Sequence, residues 1–250
     1  RTHNKAFHLI YSFNLYLNFL NTMKKTLKII LIYSIFACLL LYIIENVLHP
    51  TYLIQVIQKI VLFIVCPILL GKYLWYQFWE FGRIQKSSVV YGIGLWILWA
   101  LIIFITYFFL KDIIDWDNIK TSVESRWVTQ TTFLFAFIYI MFWNSLIEEY
   151  FFRGIVFRGL LEYSKTLAYI ISSTMFALYH IAIFGTWFDS YLLALALWGL
   201  FVWGIFFAWL YEQTKWVWGA WIFHIFADFA ILVIWYIQLM YYYVSWSAYP

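Results

Sequence analysis

Proline occurs three times and glycine ten times in the 250 residues, and no series of alternating ten-residue segments bounded by turns is present. A transmembrane β-barrel is built from such segments, so that class is excluded. Charge is equally scarce. Asp, Glu, Lys and Arg make up 11% of the chain against 66% hydrophobic residues, and the mean hydropathy is +0.82; a soluble domain carries about 25% charged residues. No basic run interleaved with stacking aromatics lies outside the apolar stretches, which leaves no footprint for nucleic acid despite a net charge of +4. Cysteine appears only as Cys38 and Cys66, both inside apolar runs, where they are expected to be small buried hydrophobes rather than a disulfide.

Long apolar runs and aromatics fill the space that these absences leave. The 16 Trp and 21 Tyr suit helix ends at lipid interfaces. Apolar windows of about 18 to 25 residues fall near 29–48, 52–70, 89–110, 128–147, 167–184, 190–210 and 216–240. They predict an all-α polytopic transmembrane helical bundle of about seven spans, six to eight, embedded in a lipid bilayer. Met23 followed by Lys24, Lys25 and Lys28 reads as a start, which makes residues 1–22 a non-native or interfacial extension. Residues 23–127 then form amino-terminal transmembrane helices, and 128–240 a core that carries the chemistry. The second window holds Lys59 beside Gln55 and Gln58. A functional cation and a tilted interfacial helix explain it equally well.

Counting cations by side orients the chain. Arg1, Lys5, Lys24, Lys25, Lys28, Lys72, Arg83, Lys86, Arg153, Arg158, Lys165 and Lys215 fall on the side of the amino terminus, and only Lys111, Lys120 and Arg126 on the other. The amino terminus is therefore expected in the cytoplasm, in what the sequence suggests is a bacterial cell membrane.

Against this apolar background the stretch Ile147-Glu148-Glu149-Tyr150-Phe151-Phe152-Arg153-Gly154 stands out. A charge at the centre of a bilayer costs at least about 2.5 to 3.5 kcal/mol, so it persists where it pairs or performs chemistry. At about 100° per residue Glu149 and Arg153 share a helical face, which leaves Glu148 as the free carboxylate with Asn144 four residues before it. Two later windows are interrupted in the same way, by His180 after Phe176 and by His224 four residues before Asp228. His3, His8 and His49 are terminal or in a short loop and are expected to be idle.

A glutamate, two histidines and an aspartate converging in a bundle suit two kinds of chemistry. In one, Glu148 acts as base on water with His180, while His224 and Asp228 face a developing oxyanion, and no cofactor is required. In the other, Glu148, His180, His224 and Asp228 hold zinc. The His-Glu-x-x-His helix of soluble zinc proteases is missing, which weakens the second.

The succession Glu-Glu-x-x-x-Arg (Glu148, Glu149, Arg153), Phe-x-x-x-His (Phe176, His180) and His-x-x-x-Asp (His224, Asp228) resembles the CPBP family. That family comprises the CAAX prenyl endopeptidases and the bacterial Abi or bacteriocin-processing proteins, integral membrane proteases. The resemblance covers about residues 140–230. It implies an endopeptidase with a site inside the membrane, reached by a peptide or protein substrate from the cytoplasmic side. By the same resemblance Glu148 and His180 activate water, His224 with Asp228 stabilises the oxyanion, and Glu149 and Arg153 support the site. Prenyl endopeptidases carry Asn where this chain has Asp228, and an ionised carboxylate cannot donate to an oxyanion; bacterial members with Asp fit better. Maturation of a prenylated or bacteriocin-like peptide, or self-immunity to a bacteriocin, are the implied roles. A non-catalytic immunity or partner protein of the same fold and a proton-coupled transporter are the competing readings.

One expectation follows from depth alone. If the fourth span ended at residue 147, Glu148 would sit at the interface, while His180 would lie roughly 20 Å and His224 roughly 12 Å from that side at 1.5 Å per residue. A shared site predicts that this helix runs on to Leu161.

Overall fold

The computed structural model describes residues 25–74, 82–126, 128–129 and 131–247, with side chains described to Gln238 in the last helix. The extension 1–22 and the start at Met23 lie outside the described residues. Among these residues there is no strand, and the all-α polytopic bundle expected from the sequence is what forms. Six helices are long and apolar enough to cross a membrane. We label them α1 (Lys25–Leu48), α2 (Tyr52–Tyr73), α3 (Lys86–Leu110), α6 (Lys165–Phe184), α7 (Ser190–Thr214) and α8 (Val217–Ser247). Between α3 and α6 lie the short α4 (Trp116–Glu124) and the long α5 (133–161).

The buried face of α1 shows what kind of bundle this is. Ile30, Ser34, Ala37, Leu41 and Glu45 recur every three or four residues and are buried, whereas Ile32, Ile35, Phe36, Leu39 and Ile43 are exposed. Small and polar residues share the inward face with Ile30 and Leu41, while the outward face is large and apolar, because lipid provides no hydrophobic drive for helices to associate and close packing takes its place. Gly204 of α7 makes the same point. A Cβ there would lie 2.8 Å from the Cα of Ser173, so the absence of a side chain lets α6 and α7 touch backbone to backbone. The two cysteines are free and half-buried.

Helix ends carry recognisable stops. Asp115, Ser164 and Asp189 cap α4, α6 and α7 by accepting from the amides of Asn118, Leu167 and Leu192. His49 and Lys215 close α1 and α7 in the left-handed conformation, with φ of 46° and 59°.

α5 is the helix that positions the site, and it differs from the span read off the sequence. It starts at Phe133 rather than 128 and continues without a break to Leu161 rather than ending at 147, as the depth of His180 and His224 requires. Its turns widen to π-helical geometry at Tyr139–Asn144 and again at Tyr150–Phe157, a distortion often found at functional sites. Glu148 and Glu149 lie on the short α-helical stretch between the two.

Consecutive helices alternate in direction, giving the bundle two ends. One end carries the start of α1 and the connectors after α2, α5 and α7, which meet where Lys165 pairs with Glu212 and Trp218 donates to the Gly82 carbonyl. The other carries 49–51, the stretch from α3 to α5 with α4, and 185–189. There Asn118 donates to the carbonyls of Thr186 and Trp187.

Candidate active site

Glu148 and Glu149 point to two neighbouring networks, and their division follows from helical phase. Arg153, one turn on, donates to Glu149 Oε1 at 3.1 Å. Its guanidinium lies between the rings of Phe176 and Phe207, at 4.2 and 4.8 Å from their centroids, and reaches the Gly204 carbonyl. None of Glu148, Glu149 and Arg153 is more than 1% exposed. A bare charge at that depth is very costly, but a carboxylate and guanidinium held by bond and ring faces form a compensated unit.

Glu149 does a second job that spacing did not reveal. Its Oε1 also accepts from His224 Nδ1 at 2.9 Å, and the imidazole stacks on Phe207 at 4.7 Å. Bond and ring together fix the histidine, so its Nε2 faces Asp228 Oδ1 at 3.6 Å. Asp228 Oδ2 has no hydrogen-bond partner among the described residues.

Glu148 is saturated on one oxygen only. Oε1 accepts from Asn144 Nδ2 at 2.8 Å and from the Tyr179 hydroxyl at 3.2 Å, and lies 3.5 Å from the ammonium of Lys59. Oε2 faces His180 Nε2 at 3.9 Å. The other nitrogen of His180 lies 2.7 Å from the Phe176 carbonyl. A carbonyl only accepts, so Nδ1 carries a proton, and in the neutral imidazole Nε2 then presents a lone pair. α6 is interrupted at this residue, where the amide of His180 bonds to Ala177 in a tighter turn.

Every site residue expected from the sequence is thus in one cluster: Glu148, His180, His224 and Asp228 line the same cavity of about 280 Å³, with Asn144 beside Glu148 and Arg153 behind Glu149. Three partners were not foreseen in these roles. Lys59 is neither interfacial nor idle: it donates to Asn144 Oδ1 at 2.6 Å and sits 5.1 Å from the Tyr179 ring centroid. Tyr179 is the neighbour of a residue that was singled out. Glu45 pairs with Arg126 at 3.7 Å on the cavity wall. The available signal was that Glu45 and Lys59, inside apolar helices, each needed a partner.

As placed, the possible zinc ligands Glu148, His180, His224 and Asp228 do not form a metal cluster. Among the described residues no group of three or more His, Cys, Asp or Glu side chains is placed to hold a metal ion. No step below is routed through a metal.

The cavity also has a direction. Its walls are Glu45, Tyr52 and Gln55 near one end of α1 and α2, Val123 and Arg126 of the α4 stretch, and Trp187, all at the end of the bundle opposite the start of α1. Toward the start of α1 the site is closed by Phe151, Phe152, Phe157 and Phe223, all fully buried. The cavity therefore runs toward the end of the bundle opposite the start of α1.

Residues 130–230 match the family model described as Rce1-like, type II CAAX prenyl endopeptidase. No curated protein and no solved structure matches the chain. The matched stretch contains Glu148, Glu149, Arg153, His180, His224 and Asp228, whereas Glu45, Lys59 and Arg126 lie before it. Residues 130–230 thus resemble the Rce1-like CAAX prenyl endopeptidase domain of membrane-embedded proteases, the CPBP grouping that the three motifs also resemble.

Proposed function

We propose that the protein is an intramembrane endopeptidase in which Glu148 and His180 activate water for attack on a peptide carbonyl. The observation that carries this reading is the facing pair Glu148 Oε2 and His180 Nε2, 3.9 Å apart on the cavity wall. Both are acceptors, and their separation is one that a single water bridges at roughly 2.8 Å to each. Such a water donates both its protons and turns a lone pair to the cavity.

In the reaction Oε2 takes one proton as the water oxygen bonds to the carbonyl carbon, whose π electrons move to oxygen. His224 in its imidazolium form donates from Nε2 to that oxyanion, held in place by Glu149 at Nδ1. Asp228, which cannot itself donate when ionised, acts by keeping the imidazolium paired on its cavity side. Collapse of the intermediate breaks the C–N bond, and the proton on Glu148 passes to the leaving amine. Lys59, Asn144 and Tyr179 hold Oε1, so the carboxylate presents one oxygen in one direction.

Maturation of a prenylated or bacteriocin-like peptide, or bacteriocin self-immunity in a bacterial membrane, are the roles this chemistry would serve. The test is cleavage of prenylated and unprenylated peptides by purified protein, with and without chelator. Wild type is expected to cleave in chelator, and Glu148→Ala and His180→Ala to lose activity. Full biological activity of Glu148→Ala would instead indicate a non-catalytic immunity or partner protein. Loss of cleavage on chelation, restored by zinc, would overturn the metal-free mechanism. Solute uptake without cleavage would point to a transporter.

A further inference from the structure

The geometry points to a site that opens on the outer side of the membrane, so that the substrate is a peptide that has already crossed it. We infer this from two independent observations, and as a statement about substrate it rests on the peptidase reading above.

The first is where the cavity goes. From Glu148 at the middle of α5 it runs past Lys59 and Tyr139 to Glu45, Arg126 and Trp187, residues in the last turns or connectors of one end. No residue from 162–164 or 215–216, at the other end, lines it. In that direction the chain is solid: Phe151, Phe152, Ile155, Val156, Phe157 and Leu160 of α5 are all 2% exposed or less.

The second is charge. Among the described residues Lys25, Lys28, Lys72, Arg83, Lys86, Arg158, Lys165 and Lys215 lie at or near the closed end, and Lys111, Lys120 and Arg126 at the open end. The open end also carries Asp112, Asp115, Asp117, Glu124 and Asp189. Eight cations against three, all within short connectors or a turn or two of helix ends, is the asymmetry that holds the basic side in the cytoplasm. The closed end is therefore cytoplasmic and the open end is not.

The walls describe the occupant. Ile183, Trp187, Leu200, Ile231 and Trp235 make one side of the cavity apolar, which suits an extended segment of aliphatic and aromatic residues. The reaction that supplies this substrate is export, and cleavage follows it.

Single cysteines report the orientation in intact cells making the full chain with Cys38→Ala and Cys66→Ala. Thr186→Cys and Asp112→Cys mark the open end, Tyr163→Cys and Arg83→Cys the closed end; all four positions are exposed. A membrane-impermeant maleimide is expected to label the first pair on the order of tenfold or more faster than the second, with the second reacting after permeabilisation. The reverse pattern at either pair overturns the inference. Sealed vesicles of each orientation then test the substrate, with a soluble quenched peptide of aliphatic and aromatic residues as probe. Cleavage by right-side-out vesicles supports an exported substrate, and cleavage by inside-out vesicles alone refutes it. Labelling as expected with no cleavage from either side refutes the peptidase reading and the substrate with it, while the orientation stands.

Discussion

The two halves of α5 are surrounded very differently. From Tyr139 to Glu148 the helix borders a cavity that Lys59, Asn144 and His180 also line. From Glu149 to Leu160 it is enclosed by aromatic rings, including Phe63 stacked on Phe151 at 3.9 Å and Phe176 against Phe152 at 5.4 Å. Adjacent residues sit on the border, with Glu148 belonging to the first half and Glu149 to the second. The difference separates two uses of buried charge. In the packed half Glu149 and Arg153 hold helices and aim His224; in the open half Glu148 keeps one oxygen free for chemistry.

Substitutions on the two sides of that border should therefore fail in different ways. The largest effect is expected from Glu148→Gln, which keeps the shape but removes the base. Cleavage should fall by about 10²- to 10⁴-fold with little change in thermal unfolding in detergent, and a comparable loss of both would erase the distinction. Arg153→Met should do the opposite. It strands Glu149 and His224, and breaking a buried pair from one side costs about 3 to 5 kcal/mol, read as a lower unfolding midpoint and reduced yield of folded protein.

Smaller changes sharpen the contrast. Gly204→Ala forces a Cβ to within 2.8 Å of the Ser173 backbone and should cost about 1 to 3 kcal/mol by overpacking, again measured by thermal unfolding. Lys59→Met, on the open side, should lower kcat on the order of tenfold, the scale of one hydrogen bond to a charged group, with KM nearly unchanged and partial recovery in Lys59→Arg. Phe109→Leu, on the exposed surface of α3, should leave stability within about 0.5 kcal/mol and activity unaltered; a larger change would show that this face is covered by protein.

What was legible in the sequence was whatever depends on spacing within one helix. Asn144 with Glu148, Glu149 with Arg153 and His224 with Asp228 all meet one turn apart as the period of 3.6 requires. The bundle itself was legible because lipid demands long apolar helices. Illegible was whatever depends on which helices touch. Nothing in the neighbourhood of Lys59 says that it reaches 85 positions along to Asn144, or that Glu149 holds a histidine 75 positions away. The beginning of α5 was placed too early because Val128 is apolar; it packs instead with Ile119 and Val123 of α4. The direction in which the cavity runs was illegible for a related reason. Hydropathy records depth but not which half of a span is packed by aromatics and which lines a cavity.

The most direct test of the account is the ratio of kcat/KM for peptide cleavage between purified wild type and Glu148→Gln, measured in chelator with both proteins shown to be folded. A loss of about 10²-fold or more is the predicted result. Equal cleavage by the two proteins, or no cleavage by a folded wild type that is restored by zinc, would contradict the assignment of Glu148 as the base.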